Sequence, residues 1–155
     1  MKKLQLLLLT LLIPFLGYTQ INTFPWTHDF DNGVGLTNWT TNDDGDWLLN
    51  SGPTTSNNTG PSDDMTGGGF YMYFETSGAP ANSVTLSSEC FDISALSAPA
   101  LSFNNHMFGS STGTLNAYVN GDTVWTMSGD QGDQWNWAQV DLSAYAGVDI
   151  TIVFE

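Results

Sequence analysis

Aspartates crowd three early stretches of this sequence: Asp29 and Asp31, then Asp43, Asp44 and Asp46, then Asp63 and Asp64. A hard cation such as Ca²⁺ takes about six to eight oxygen ligands from carboxylates, carbonyls and water, so acidic loops of this kind can supply a cation site. An aspartate set among Asn, Ser and Gly can instead fold its carboxylate onto its own backbone in an Asx turn and bind nothing. Spacing leaves both readings open, although Asp29-x-Asp31 meets Gly33 one position too early for an EF-hand loop. Gly109-Ser110-Ser111-Thr112-Gly113, close to His106, matches the G-x-S-x-G pattern of serine hydrolases. That pattern needs a strand, a sharp turn and a helix, whereas an alternating strand follows here, so a turn between strands is expected. His28 and His106 are the only histidines, with no H-E-x-x-H and no cysteine cluster, which supplies a catalytic zinc site poorly. The glutamates are Glu75, Glu89 and Glu155, and none makes the closely spaced acidic pair of a sandwich-fold glycosidase, though distant carboxylates can meet in space. No enzyme is expected from these residues.

Six tryptophans, Trp26, Trp39, Trp47, Trp125, Trp135 and Trp137, are open to two uses. They can form a sugar-stacking platform, or they can be core, where burial at about 25 cal/mol per Å² makes large rings dominant. Core is the expectation for most, and one exposed Trp would suffice for a lectin. Cys90 is the single cysteine, so no intrachain disulfide can form, and a small buried hydrophobe is expected there.

The elements that must position these residues begin after a leader. Lys2 and Lys3 precede an apolar run over 4–16 and then Gly17-Tyr18-Thr19, the order of a secretory signal peptide cut after Thr19. The run holds Thr10 and Pro14 and is shorter than the ~20 residues a spanning anchor needs. The two basic residues of the chain lie in that leader, so residues 20–155 carry all 16 acidic side chains and a formal charge of −16. A surface of this sign repels phosphate backbones and anionic membranes, which excludes nucleic-acid partners. Nine Phe and five Tyr beside the tryptophans are too many for a solvated coil, so residues 20–155 are expected to fold as one domain.

Short aromatic and β-branched runs between Gly, Asn, Asp and Ser clusters predict strands over 70–75, 83–90, 100–108, 114–120, 123–127, 136–142 and 148–154. Asn120-Gly121 predicts a type I′ hairpin turn. Alternation of Leu115, Ala117 and Val119 against Asn116 and Tyr118, and again at Ile150, Ile152 and Phe154, predicts half-buried sheets. The stretch over 50–69, with Pro53 and Pro61 as rigid points, is a long polar loop, a kind usually functional or metal-ordered.

Five blocks in order resemble the MAM family, the module of meprin and receptor tyrosine phosphatase mu, in a bacterial-type form. They are Phe30-Asp31-Asn32-Gly33 with Leu36 and Trp39; Asp46-Trp47 with Ser51-Gly52-Pro53-Thr54; Thr59-Gly60-Pro61, Asp64-Met65-Thr66-Gly67 and Tyr71-Met72-Tyr73; His106-Met107-Phe108-Gly109 leading into Gly113-Thr114-Leu115; and 129–135 with Val140-Asp141-Leu142 and Val153-Phe154-Glu155. The resemblance implies an all-β, concanavalin-like jelly-roll sandwich over 20–155, outside the cell, with adhesion or protein recognition as its role and no catalysis. It also implies a cation, Ca²⁺ or Na⁺, near Asp31 and Asp64, with Asp46 and the Thr66 carbonyl as further ligands. This chain departs from the family in lacking its paired cysteines, with Thr37 and Ala100 near two of their places. The family's closing strand, with an acidic Asp-Asp-Ile pattern, would follow Glu155, and without it a sheet edge is expected to be open. The partners expected are an extracellular protein or glycan, a second copy, or other domains of the same polypeptide. A carbohydrate-binding module and an accessory domain of a secreted protease or hydrolase are the competing readings.

Overall fold

The computed structural model describes residues 20–31, 36–42, 47–76 and 83–155. The leader, Asn32 and Gly33, and Asp43, Asp44 and Asp46 lie outside the described residues. In chain order the strands are β1 (Gln20–Ile21), β2 (Trp39–Thr41), β3 (Trp47–Asn50), β4 (Tyr71–Phe74), β5 (Leu86–Ser88), β6 (Cys90–Asp92), β7 (Ala100–His106), β8 (Thr114–Val119), β9 (Asp122–Ser128), β10 (Trp135–Asp141), β11 (Asp149–Ile150) and β12 (Ile152–Phe154). A 3₁₀ turn, Ser143–Tyr145, links β10 to β11. Among the described residues no helix is long and apolar enough to cross a membrane.

The fold is the expected jelly-roll β-sandwich. One layer is a five-stranded sheet of order β2-β5-β12-β8-β9. The other sheets are the two-stranded ladders β10-β7 and β3-β4 and the three-stranded β1-β6-β11. Phe103 of β7 joins the layers, its ring 4.9 Å from Phe154 on β12 and 5.0 Å from Trp125 on β9, both edge-on. Phe91, Ile93, Val119, Leu142, Ile150 and Ile152 form the fully buried centre. Alternation behaves as expected in β8, where Ala117 and Val119 are buried. Asn120 (φ 52°) and Gly121 (φ 91°) supply the two left-handed positions that the β8–β9 hairpin requires.

Two expected strands are each broken in two. The stretch over 83–90 becomes β5 and β6, and that over 148–154 becomes β11 and β12. The breaks lie opposite one another, because β5 pairs with β12 in the large sheet while β6 pairs with β11 in the small one. A ribbon that changes sheets must bend, and at the bend backbone groups leave the ladder and need other partners. Side chains supply them. The hydroxyl of buried Ser88 accepts the Ile152 N–H at 2.9 Å and donates to the Glu89 carbonyl at 2.7 Å. Asn120 Oδ1 accepts the Thr151 N–H at 2.9 Å. The short strands β1, β2 and β3 were not expected, since two to four residues carry too little periodicity to read. Cys90, expected to be buried, is half-buried on β6 and accepts from the Gln20 side chain at 3.6 Å.

No ladder joins β4 to β7, and nearly everywhere they are more than 8 Å apart. Between them runs a groove of about 980 Å³, walled by consecutive residues of both strands and floored by Trp39, Leu86, Ile152 and Phe154. Consecutive lining residues mean that each strand presents its backbone edge to the groove.

Replacing Ser88 with alanine leaves the buried Ile152 N–H without an acceptor. Urea denaturation is expected to show a loss of about 1–3 kcal/mol, the cost of an unsatisfied buried donor. Ser88→Thr, which keeps the hydroxyl, recovers part of it, whereas equal losses in both variants would mean that packing, not the hydrogen bond, holds the bend.

Candidate functional site

Strands β3 and β4 close on each other at the Asn50–Tyr71 pair, so the chain between them leaves the sheet and returns to the same place. The neck is tied by side chains: Asn50 Nδ2 donates to the Tyr71 hydroxyl at 2.7 Å, and that hydroxyl donates to the Gly52 carbonyl at 2.7 Å. Further along, Thr54 Oγ1 donates to the Thr59 carbonyl at 2.8 Å. The Gly60 N–H reaches the Phe108 carbonyl just beyond β7 at 3.1 Å, and the Trp135 indole N–H donates to the Asp63 carbonyl at 3.1 Å. This long loop is therefore folded down over the start of β10 by ordinary hydrogen bonds.

Its tip is built around Asp64. Oδ1 accepts the N–H groups of Gly67, Gly68 and Gly69, each at 2.8 Å. Oδ2 accepts the Thr66 N–H at 2.9 Å and the Thr66 hydroxyl at 2.6 Å. Those donors, the Thr66 hydroxyl first and the Gly69 N–H next, hold the Asp64 carboxyl well below the usual carboxylate range. Converging N–H groups need an unusual backbone, and Gly68 at φ 124° provides it. Asp31 reaches the same tip from the opening block. Its Oδ1 accepts the Phe70 N–H at 2.6 Å, and its own N–H donates to Asp29 Oδ1 at 3.0 Å in an Asx turn. A Cβ built on Gly69 would clash with Asp31 Oδ1 and stand 2.9 Å from Asp64 Oδ2, so both carboxylates lie against one glycine Cα.

Of the expected cation ligands, then, Asp31 and Asp64 are brought together and Asp46 lies outside the described residues. Thr66 is a donor to Asp64 through its hydroxyl and its N–H. Among the described residues no group of three or more His, Cys, Asp or Glu side chains is gathered for a metal. The three glycine amides are the part that sequence reading missed, although Asp64-Met65-Thr66-Gly67-Gly68-Gly69 carried the signal: an acceptor followed at once by a run without side chains.

Under the loop, His106 on β7 is covered by the Trp135 ring at 5.4 Å, and its Nε2 lies 3.2 Å from Asp133 Oδ1. Burial lowers its pKa and Asp133 opposes the shift. Nδ1 is buried without a hydrogen-bond partner, so neither ring nitrogen is bonded to a serine. Residues 109–113 form the expected turn, closed by the Thr112 N–H on the Gly109 carbonyl at 3.2 Å and leading into β8. Five tryptophans are buried or half-buried, while Trp137 is 64% exposed.

Residues 28–155 match the family described as MAM domain, meprin/A5/mu. The chain is similar to the mouse (Mus musculus) MAM domain-containing glycosylphosphatidylinositol anchor protein 2, 32% identical over 90% of this chain and 17% of that protein. It is similar to zebrafish (Danio rerio) Neuropilin-1a, 34% identical over 76% of this chain and 13% of that protein. The human (Homo sapiens) MAM domain-containing glycosylphosphatidylinositol anchor protein 1 is 35% identical over 65% of this chain and 12% of that protein. The chain thus spans less than a fifth of each of these relatives.

Two measurements test the tip. Gly69→Ala must push Asp31 away, and a loss of about 1–3 kcal/mol is expected in thermal unfolding. Adding Asp31→Ala should make the pair less than additive, whereas strict additivity would separate Asp31 from Gly69. Because the folded Asp64 pKa is depressed, its contribution is complete above the unfolded carboxylate value and is lost only as pH falls through the lower folded one. Amide exchange at 67–69 should therefore stay slow as carboxylates elsewhere titrate, and Asp64→Asn should weaken that protection already at neutral pH.

Proposed function

The chain belongs to the MAM domain family, and on that premise we propose that it is an extracellular, non-catalytic recognition module, exported by residues 1–19 and carried in a longer secreted or surface polypeptide. The observation that supports this most is the match of residues 28–155 to the MAM family, together with the similarity to proteins whose names carry a glycosylphosphatidylinositol anchor or neuropilin. A glycosylphosphatidylinositol anchor attaches its protein to the outer face of a membrane. Recognition of a protein partner falls to the loops and exposed sheet faces of this chain. To test it, beads coated with the protein are applied to cells of the source organism and to its culture fluid. Saturable capture, competed by soluble protein, is the expected result, and its absence from both would sink the reading.

On the same reading Asp31 and Asp64 hold a hard cation, Ca²⁺ or Na⁺, joined by the Thr66 carbonyl and by Asp46. Its support is the meeting of two carboxylates at Gly69 in a segment that has no Lys or Arg to neutralise them. Asp64 Oδ1 accepts three amides and Oδ2 two Thr66 donors, so a bound ion would rest on Asp31 and displace a Thr66 donor from Oδ2. A ligand selective for the folded state raises stability by about 2.7 kcal/mol at a hundredfold excess over Kd. Thermal unfolding in EDTA, millimolar Ca²⁺ and high Na⁺ should show such a shift, lost in Asp31→Ala. Identical transitions in all three conditions would mean that the glycine amides alone hold Asp64.

A further inference from the structure

The antiparallel ladder of β7 and β10 sets Trp135 opposite His106, Trp137 opposite Asn104, Gln139 opposite Ser102 and Asp141 opposite Ala100. Alternation places all of these on one face, while Leu101, Phe103, Asn105, Ala138 and Val140 point the other way. Phe103 and Ala138 pack in the interior, so the first face looks outward. The long loop covers only its first rung, through Trp135 and Asp63. Beyond that rung Trp137 is 64% exposed, and Asn104, Gln139 and Ser102 are exposed around it. None of these three polar side chains has a hydrogen-bond partner among the described residues, although most polar side chains of the loops do.

The outcome is a flat strip with one indole, two free amides and a hydroxyl at neighbouring positions, where cross-strand Cβ atoms stand about 5 Å apart. An amide both donates and accepts, as does a sugar hydroxyl, and an indole face packs against the C–H face of a sugar ring. A protein hot spot has a different surround, with the aromatic anchor inside a desolvated, apolar core. Here Trp137 is the one large apolar side chain on the open rungs. Charge narrows the class further: residues 20–155 carry no cation for a sulfate or uronate, and Asp141 ends the strip with a negative charge.

We propose that the exposed strip of β7 and β10, Trp137 with Asn104, Ser102 and Gln139, binds neutral glycans, a pyranose ring stacking on the indole while its hydroxyls pair with the flanking side chains. This rests on the recognition reading above and gives it a ligand class. The full chain is applied to an array of neutral oligosaccharides, including β-glucan, mannan, galactan and chitin fragments, with heparin as the anionic probe. Hits are titrated by tryptophan fluorescence. At least one neutral series should bind while heparin does not. Trp137→Ala should weaken binding about tenfold or more. Asn104→Ala and Gln139→Ala should weaken it less, all with unchanged melting temperature. An array without a neutral ligand, binding that survives Trp137→Ala, or equal binding of heparin would each overturn the proposal. Bead capture lost in Trp137→Ala with a blank array would assign the strip to a protein partner, overturning the glycan while leaving recognition intact.

Discussion

Everything in this domain is arranged under one electrostatic constraint: residues 20–155 hold 16 carboxyl groups and no lysine or arginine. Without Lys or Arg to pair with, a carboxylate here that is tied down is held mostly by an N–H or a hydroxyl. The structure does this repeatedly and mostly within a few residues. Asp92 takes the Ser94 amide, Asp130 the Gly132 amide, Asp141 the Ser143 amide, and Asp64 a whole turn of glycine amides. Others are reached by hydroxyls and amides from afar, as Glu155 is by Ser83 and Glu89 by Asn38. Hydrogen bonds to an ionised acceptor are stronger than neutral ones, so each negative charge becomes a fastening for the loop that carries it.

The same economy shows in the core. A strand ribbon that crosses from one sheet to the other breaks its ladder at Glu89 and Thr151, and the freed backbone groups are met by Ser88 and Asn120. Asn120 serves two purposes at once, since its side chain meets the Thr151 N–H and its left-handed backbone makes the β8–β9 turn. Local turn chemistry and the bend of the sandwich are thereby linked through one residue.

How much of this was legible in the sequence follows from range. Seven strands were readable because their apolar alternation is a local signal, and the type I′ turn because Asn-Gly is a local preference. The breaks at Glu89 and Thr151 were not, since a change of sheet depends on the partner strand. The short strands β1 to β3 had too few residues for a period. At the tip, Asp31 and Asp64 were picked out together only through a family resemblance, as 32 residues of intervening chain hide their meeting at Gly69. Thr66 was named for its carbonyl, but its hydroxyl and amide are what the structure uses. Of the six tryptophans, the exposed one could not be told from its neighbour Trp135, because both share a strand face and a loop from elsewhere covers just one of them.

The facing edges of β4 and β7 carry a consequence for how molecules of this protein meet one another. An unpaired strand edge is a template for another chain, and natural sheets guard such edges with cover, twist or charge. Here Asp29, Asp64, Glu75 and Glu155 all line the groove, so the guard is charge. Charge of that kind is a property of the solvent as much as of the protein. It is screened beyond a Debye length of about 8 Å at physiological salt. Added salt therefore weakens the guard along this groove, while the short hydrogen bonds that hold the loops are left in place.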